Sequence, residues 1–242
     1  MDLFIDIETI PAQRPDILEH LEASQRDELT AALEAVKAPS NYKDEAKIAE
    51  YIATRRAELQ ADFAGKLADK IGGTGLDGAF GQVFCIGWAW GDEQVRVEYS
   101  PGLDEAAVLG AFFADMPRGF QTVRVIGHNV ATFDLRFLKQ RAMVLGVKPP
   151  ACLPFDAKPW DLTIFDTMVQ FAGVGKTIGL DRLALAFGIP GKRGMSGADV
   201  WPAVKANRFQ EVADYCADDV ILTRAVFRRM TFADSAVERL AA

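Results

Sequence analysis

The segment LFIDIETI at residues 3–10 sets two carboxylates, Asp6 and Glu8, in an otherwise apolar strand. Strand side chains alternate between faces, so these two acids share one face while Leu3, Ile5 and Ile7 occupy the other. Like charges on a half-buried face repel and desolvate each other. A raised pKa on one acid relieves this, and so does a bound cation. Exposure of one carboxylate at the strand end is the plain structural alternative. Pro11 ends the strand, and the chain changes character. Residues 12–70 are rich in Ala, Glu, Lys and Arg, with apolar residues at helical spacing. One helix is expected over about 16–37, a break at APSN (38–41), and then a second stripe through Ile48, Ile52, Leu59, Phe63 and Leu67. GGTGLDG (72–78) reads as the return loop. A lone strand needs partners, so residues 12–75, approximately, read as a helical insertion into one domain spanning 1–242.

The partners follow. VFCIGWAW (83–90) and VRVEYS (95–100) flank a Gly91-Asp92 turn and read as a hairpin. VRVIGHNV (123–130) and TIFDTM (163–168) are two further strands. Helices are expected over 104–115, 133–145, 179–187, 197–206 and 208–230. Parallel strands need helical crossovers, which the second half supplies. The fold class is α/β, a mixed sheet flanked by helices.

Composition removes whole classes. Half of the 242 residues are apolar and a quarter charged, with 27 Lys+Arg against 34 Asp+Glu for a net charge of −7. That excludes a disordered chain, a collagen-like repeat and a basic nucleic-acid-coating protein. It leaves local basic patches open. Three scattered Cys suggest neither a disulfide framework nor a zinc site. The charged N-terminus does not look like a signal peptide, and no apolar run reaches membrane-spanning length. The expectation is a cytoplasmic protein with no membrane association. With two His in the chain, carboxylates are the plentiful reactive groups.

On the last helix, Val212, Cys216, Thr223, Val226, Phe227 and Met230 form one stripe at 3.6-residue spacing. Tyr215 and Asp219 fall inside it; Glu211, Asp214 and Asp218 fall opposite. A carboxylate facing the protein is costly without a partner, and Tyr215 lies one turn before Asp219. No Lys or Arg occupies this stripe before the far end of the helix, and an Asp219 satisfied by a distant Arg is the plain structural alternative. In HNVATFDLRFL (128–138), Asp134 opens a helix, where an acid ordinarily complements the dipole.

Asp6-x-Glu8, the Asn129-x-x-x-Phe133-Asp134 block and Tyr215-x-x-x-Asp219, in this order, resemble the DEDD superfamily of 3′–5′ exonucleases, tyrosine subclass (DEDDy). LDRLALAFGIPGK (180–192) and SGADVWPAV…VADYCADDVILT (196–223) look like a bacterial group of predicted exonucleases related to the proofreading domain of family-B DNA polymerases. The resemblance implies an RNase H-like fold with a five-stranded mixed sheet. It also implies two Mg²⁺ or Mn²⁺ ions, which activate the water and stabilise the departing 3′ oxygen. By resemblance Asp6, Glu8 and Asp219 hold the first ion, while Asp6 and Asp134 hold the second. Tyr215 orients the attacking water; its phenol, near pKa 10, is no simple base at neutral pH.

Thr9, Ile10, Asn129 and Phe133 are expected around the 3′-terminal nucleotide, with a core role for Phe133 weighing equally. Residues 173–210 carry a local excess of four positive charges, and Lys192 and Arg193 in GIPGKRGMSG are candidate phosphate contacts. His128 reads as a strand-end hydrogen-bonding residue and Cys216 as an inert buried thiol. The expected partner is single-stranded DNA or a DNA 3′ end. RNA or a short oligoribonucleotide is the nearest alternative. A nucleic-acid-binding module without turnover and an Asp-nucleophile phosphatase are others. No protein partner is readable.

Overall fold

The computed structural model describes residues 1–118, 122–158, 160–191 and 194–233. In chain order the elements are β1 (Asp2–Ile10), α1 (Pro15–Ala35), α2 (Glu45–Ala61), α3 (Phe63–Gly73), β2 (Gln82–Trp90), β3 (Arg96–Tyr99), α4 (Glu105–Ala114), β4 (Arg124–Gly127), α5 (Asp134–Leu145), β5 (Ile164–Asp166), α6 (Thr167–Ala172), α7 (Leu180–Ala186), α8 (Gly197–Lys205) and α9 (Phe209–Met230). They fall into two compact units, Met1–Ile10 with Gln82–Ala242, and Pro11–Gly81.

The first unit is built on a sheet of order β3-β2-β1-β4-β5. β1 pairs antiparallel with β2 and parallel with β4; β2–β3 is antiparallel and β4–β5 parallel. This is a mixed five-stranded RNase H-like α/β sheet. The faces of β1 go to different layers, as its alternation requires. Leu3, Ile5 and Ile7 pack with Val108, Leu109 and Phe112 of α4 and Leu135 and Leu138 of α5. On the other face Phe4 meets Val220 and Phe227 of α9. Ile10 meets Val200 and Ala203 of α8 and Val212 and Cys216 of α9. Each fully buried side chain of this size contributes roughly 1.5–3 kcal/mol.

A buried ion pair ties the first layer to the sheet. Arg141 of α5 donates to both Glu105 oxygens at 2.9 and 2.8 Å, and Glu105 Oε1 also accepts from the Val83 N–H at 2.8 Å. At the hairpin, Asp115 accepts from Trp88 Nε1, Trp90 Nε1 and Arg96 Nη1. Burial pushes this carboxyl up, but those donors outweigh it and hold the group below its usual range.

The second unit is a loosely packed helical set. α1 starts on Pro15, which suits the first helical position. It buries only Leu21 and Gln25, and α2 and α3 bury no residue fully. Polar contacts fasten it. Lys70 Nζ donates to Glu28 and Ser24, Arg56 to the Leu33 carbonyl, and the Ala12 N–H to Thr74 Oγ1 at 2.8 Å. The stripe from Ile48 to Leu67 belongs to two helices rather than one, parted at Asp62. Among the described residues no helix is long and apolar enough to cross a membrane.

Candidate active site

β1 presents Asp6 and Glu8 on the face that α9 covers. Asp6 pairs with Gly87 and Glu8 with Cys85, and a register shift follows between Glu8 and Thr9. Gly87 sets how closely α9 approaches. A Cβ there would lie 2.9 Å from Cys216 Sγ and 3.2 Å from Val220 Cγ2. Cys216, in turn, donates its thiol to the Asp6 carbonyl at 3.5 Å. Asp219 sits about one turn further along α9 and is thereby carried over the strand pair. It is 6 % exposed, whereas its neighbour Asp218 is exposed.

One ligand oxygen from each of Asp6, Glu8 and Asp219 lies within 4.8 Å of the others. Asp6 Oδ2 is buried and has no hydrogen-bond partner among the described residues. Burial raises the Asp6 pKa well above its ordinary value, and the charges of Glu8, Asp134 and Asp219 push it further. A buried oxygen without a donor, ringed by acids, is the environment a cation relieves. Hard carboxylate oxygens are the donors that Mg²⁺ and Mn²⁺ prefer. The residues present therefore fit a divalent ion.

Asp134 stands at the first position of α5, 3 % exposed, and its Oδ1 accepts the Ile7 N–H at 3.1 Å. That bond reaches β1 between Asp6 and Glu8. Burial raises its pKa to about 7, with Asp166 and Asp219 adding to the rise and backbone hydrogen bonds opposing it. Asp134 is outside the close group of three, though its charge bears on Asp6.

Tyr215 is half-buried on α9, packed against the cluster of Ile10, Phe84 and Val204. Thr9 is half-buried, and the Ile10 side chain is fully buried in that same cluster. Asn129 adopts a left-handed conformation at φ 63°, and its Oδ1 accepts from the Thr132 hydroxyl. Phe133 is half-buried, its ring 5.7 Å from that of Phe137. Lys192 and Arg193 lie outside the described residues. His128 hydrogen-bonds Thr167 Oγ1 and the Ile178 carbonyl, both at 2.8 Å. Cys216 is buried and its thiol pKa is pushed well up, first by a hydrogen bond with Cys85 and then by burial, so it is inert. Sequence reasoning passed over Asp166, a fully buried acid beside this group. Its signal was an acid closing an apolar strand in TIFD.

Residues 82–241 match the family described as predicted 3′–5′ exonucleases related to the exonuclease domain of PolB. The chain belongs to that family. The matched span holds Asp134, Tyr215 and Asp219, and β1 lies before it. Among solved structures the chain is similar to the family B DNA polymerase from the hyperthermophilic archaeon Pyrobaculum calidifontis, at 18 % identity and a TM-score of 0.51. That likeness covers 94 % of this chain and 24 % of the polymerase chain, and it concerns the fold. No curated protein matches.

Proposed function

We propose that this protein is a metal-dependent 3′–5′ exonuclease of the tyrosine subclass, acting on single-stranded DNA or a DNA 3′ end and releasing nucleoside 5′-monophosphates. The observation that carries the reading is the close group of Asp6, Glu8 and Asp219, in which Asp6 Oδ2 is buried without a hydrogen-bond partner among the described residues. Family membership points the same way. We further take 1–242 as one domain with the helical unit inserted, because β1 precedes that unit and pairs with β2 and β4 beyond it.

In this reading Asp6, Glu8 and Asp219 hold one Mg²⁺ or Mn²⁺, and Asp6 and Asp134 hold a second. Such ions supply charge neutralisation at the phosphate and at the departing 3′ oxygen, and a more acidic water. The protein's own residues do the rest. The Ile7 N–H engages Asp134 Oδ1 and so orients that carboxylate against β1. Tyr215 orients the attacking water through its hydroxyl, as a hydrogen-bonding group rather than a base. Thr9, Asn129 and Phe133 border the terminal nucleotide, with Ile10 backing them from the core. Lys192 and Arg193 contribute phosphate contacts. The reading places the protein in the cytoplasm, with nucleic acid as its partner.

The test uses matched 5′-labelled DNA and RNA strands with Mn²⁺. The expected result is stepwise shortening from the 3′ end, faster on DNA, abolished by chelator and by Asp6→Ala or Asp219→Ala. Faster RNA cleavage would move the substrate to RNA, where discrimination rests on the 2′-OH. Binding without shortening, equal in Asp6→Ala, would make the protein a binding module.

A further inference from the structure

Among the described residues, the proposed chemistry leaves the fully buried Asp166 unused. Asp166 ends β5 and accepts four backbone N–H groups. Its Oδ1 takes those of Asn129 (3.0 Å), Met168 (3.0 Å) and Val169 (3.3 Å), and its Oδ2 takes that of Ala131 (3.2 Å). The Met168 and Val169 bonds are an ordinary N-cap for α6. The other two reach back more than thirty residues, into the turn that leads from β4 to Asp134.

That turn is tightly built. Asn129 is left-handed, and a Cβ at Gly127 would lie 2.5 Å from Val130 Cβ. The next residue, Thr167, is fully buried and sets its hydroxyl 3.2 Å from the Gly127 carbonyl and 2.8 Å from His128 Nδ1. His128 Nε2 lies 2.8 Å from the Ile178 carbonyl, which can only accept, so Nε2 carries a hydrogen. Beyond the turn, Leu135 donates its N–H to the Val130 carbonyl, closing the entry to α5.

We propose that Asp166 is a positioning residue of this centre. By holding the Asn129 and Ala131 N–H groups it fixes the turn over residues 128–131, and with it the places of Asn129 and Asp134. This deepens the nuclease reading and rests on it. A cap needs one oxygen. The second, on Ala131, is what Asn cannot supply, because its amide would set donor against donor. Ser would keep the cap of α6 and lose the reach into the turn.

Asp166→Asn and Asp166→Ser are compared with the native protein, with Asp134→Asn and with the double variants. Three quantities are read: amide exchange at Asn129 and Ala131 by NMR, Mn²⁺ affinity by calorimetry, and exonuclease rate. The expected result is about tenfold faster exchange at Ala131, with Mn²⁺ affinity and kcat down about 10–100-fold. In the Asp134→Asn background the same substitutions should add little further loss of affinity or rate. A purely structural acid would lower thermal stability alike in both backgrounds and add its full loss in each. Unchanged exchange at Ala131, full additivity, or failure of both Asp166 variants to fold would overturn the proposal. A native protein that neither binds Mn²⁺ nor shortens a strand would sink the nuclease reading instead, while the exchange comparison would still decide whether Asp166 holds the turn.

Discussion

Asp134 carries a pH dependence of known sign. Its folded pKa, about 7, lies above the ordinary 3.8. Between those values the folded chain holds a proton that the unfolded chain has released, so raising pH across that window favours unfolding. With chelator present, stability should fall by up to about 4 kcal/mol from pH 4 to pH 7 through this group and then level off. Asp6, shifted in the same direction, adds to the loss. Denaturant unfolding at pH 5 and pH 8, with and without Mn²⁺, checks this; the ion should stabilise more at pH 8. A second expectation concerns Gly87. Gly87→Ala forces Cys216 and Val220 aside and should cost about 1–3 kcal/mol as an overpacked core does, with weaker Mn²⁺ binding because Asp219 rides on the same helix. Adding Cys216→Ala should restore part of both in thermal melts and calorimetry. At this scale the sequence was readable where periodicity spoke. Asp219 inward and Asp218 outward follow from 3.6-residue spacing alone. The vacant side of Gly87 was not readable, since only the approach of α9 reveals it.

Among the elements, the Glu105–Arg141 pair joins α4, α5 and β2, and both side chains are 5 % exposed. Removing one partner leaves a buried charge, so Arg141→Met should destabilise by about 3–5 kcal/mol, and Glu105→Gln with Arg141→Met together by less than the sum of the two single losses. A double-mutant cycle on unfolding free energies measures it. The element order was legible because each strand and helix carries its own period. What escaped was punctuation. TIFDTM reads as one strand, yet Asp166 both ends β5 and caps the six-residue α6. An acid at a strand end looks the same in sequence whether or not a helix begins there. Likewise β4 stops at Gly127, short of the expected Val130, because Asn129 turns left-handed and Val130 folds back over the glycine.

For the molecule as a whole, Ile10 and Gln82 are strand partners in register. The chain on either side of Pro11–Gly81 is thus already positioned as the two arms of a hairpin. Replacing that unit with a short Asn-Gly turn should leave the sheet folded, with cooperative melting and Mn²⁺ binding retained. Loss of the near-UV circular dichroism signal and of cooperative melting in the shortened protein would show that the helical unit is needed for folding. The stretch that forms the second compact unit was marked by composition, since Ala, Glu, Lys and Arg dominate it. The loose packing of α2 and α3 was not, because their apolar stripe does not reveal how little of it becomes buried.

β1 is central in the sheet and first in the chain, while Asp219 arrives more than two hundred residues later. On the ribosome, Asp6 and Glu8 emerge long before the helix that completes their surroundings. Contacts of such long sequence separation form late in folding. A chain that has not yet been extended through α9 therefore carries Asp6 and Glu8 without Asp219, and its acid group stays incomplete.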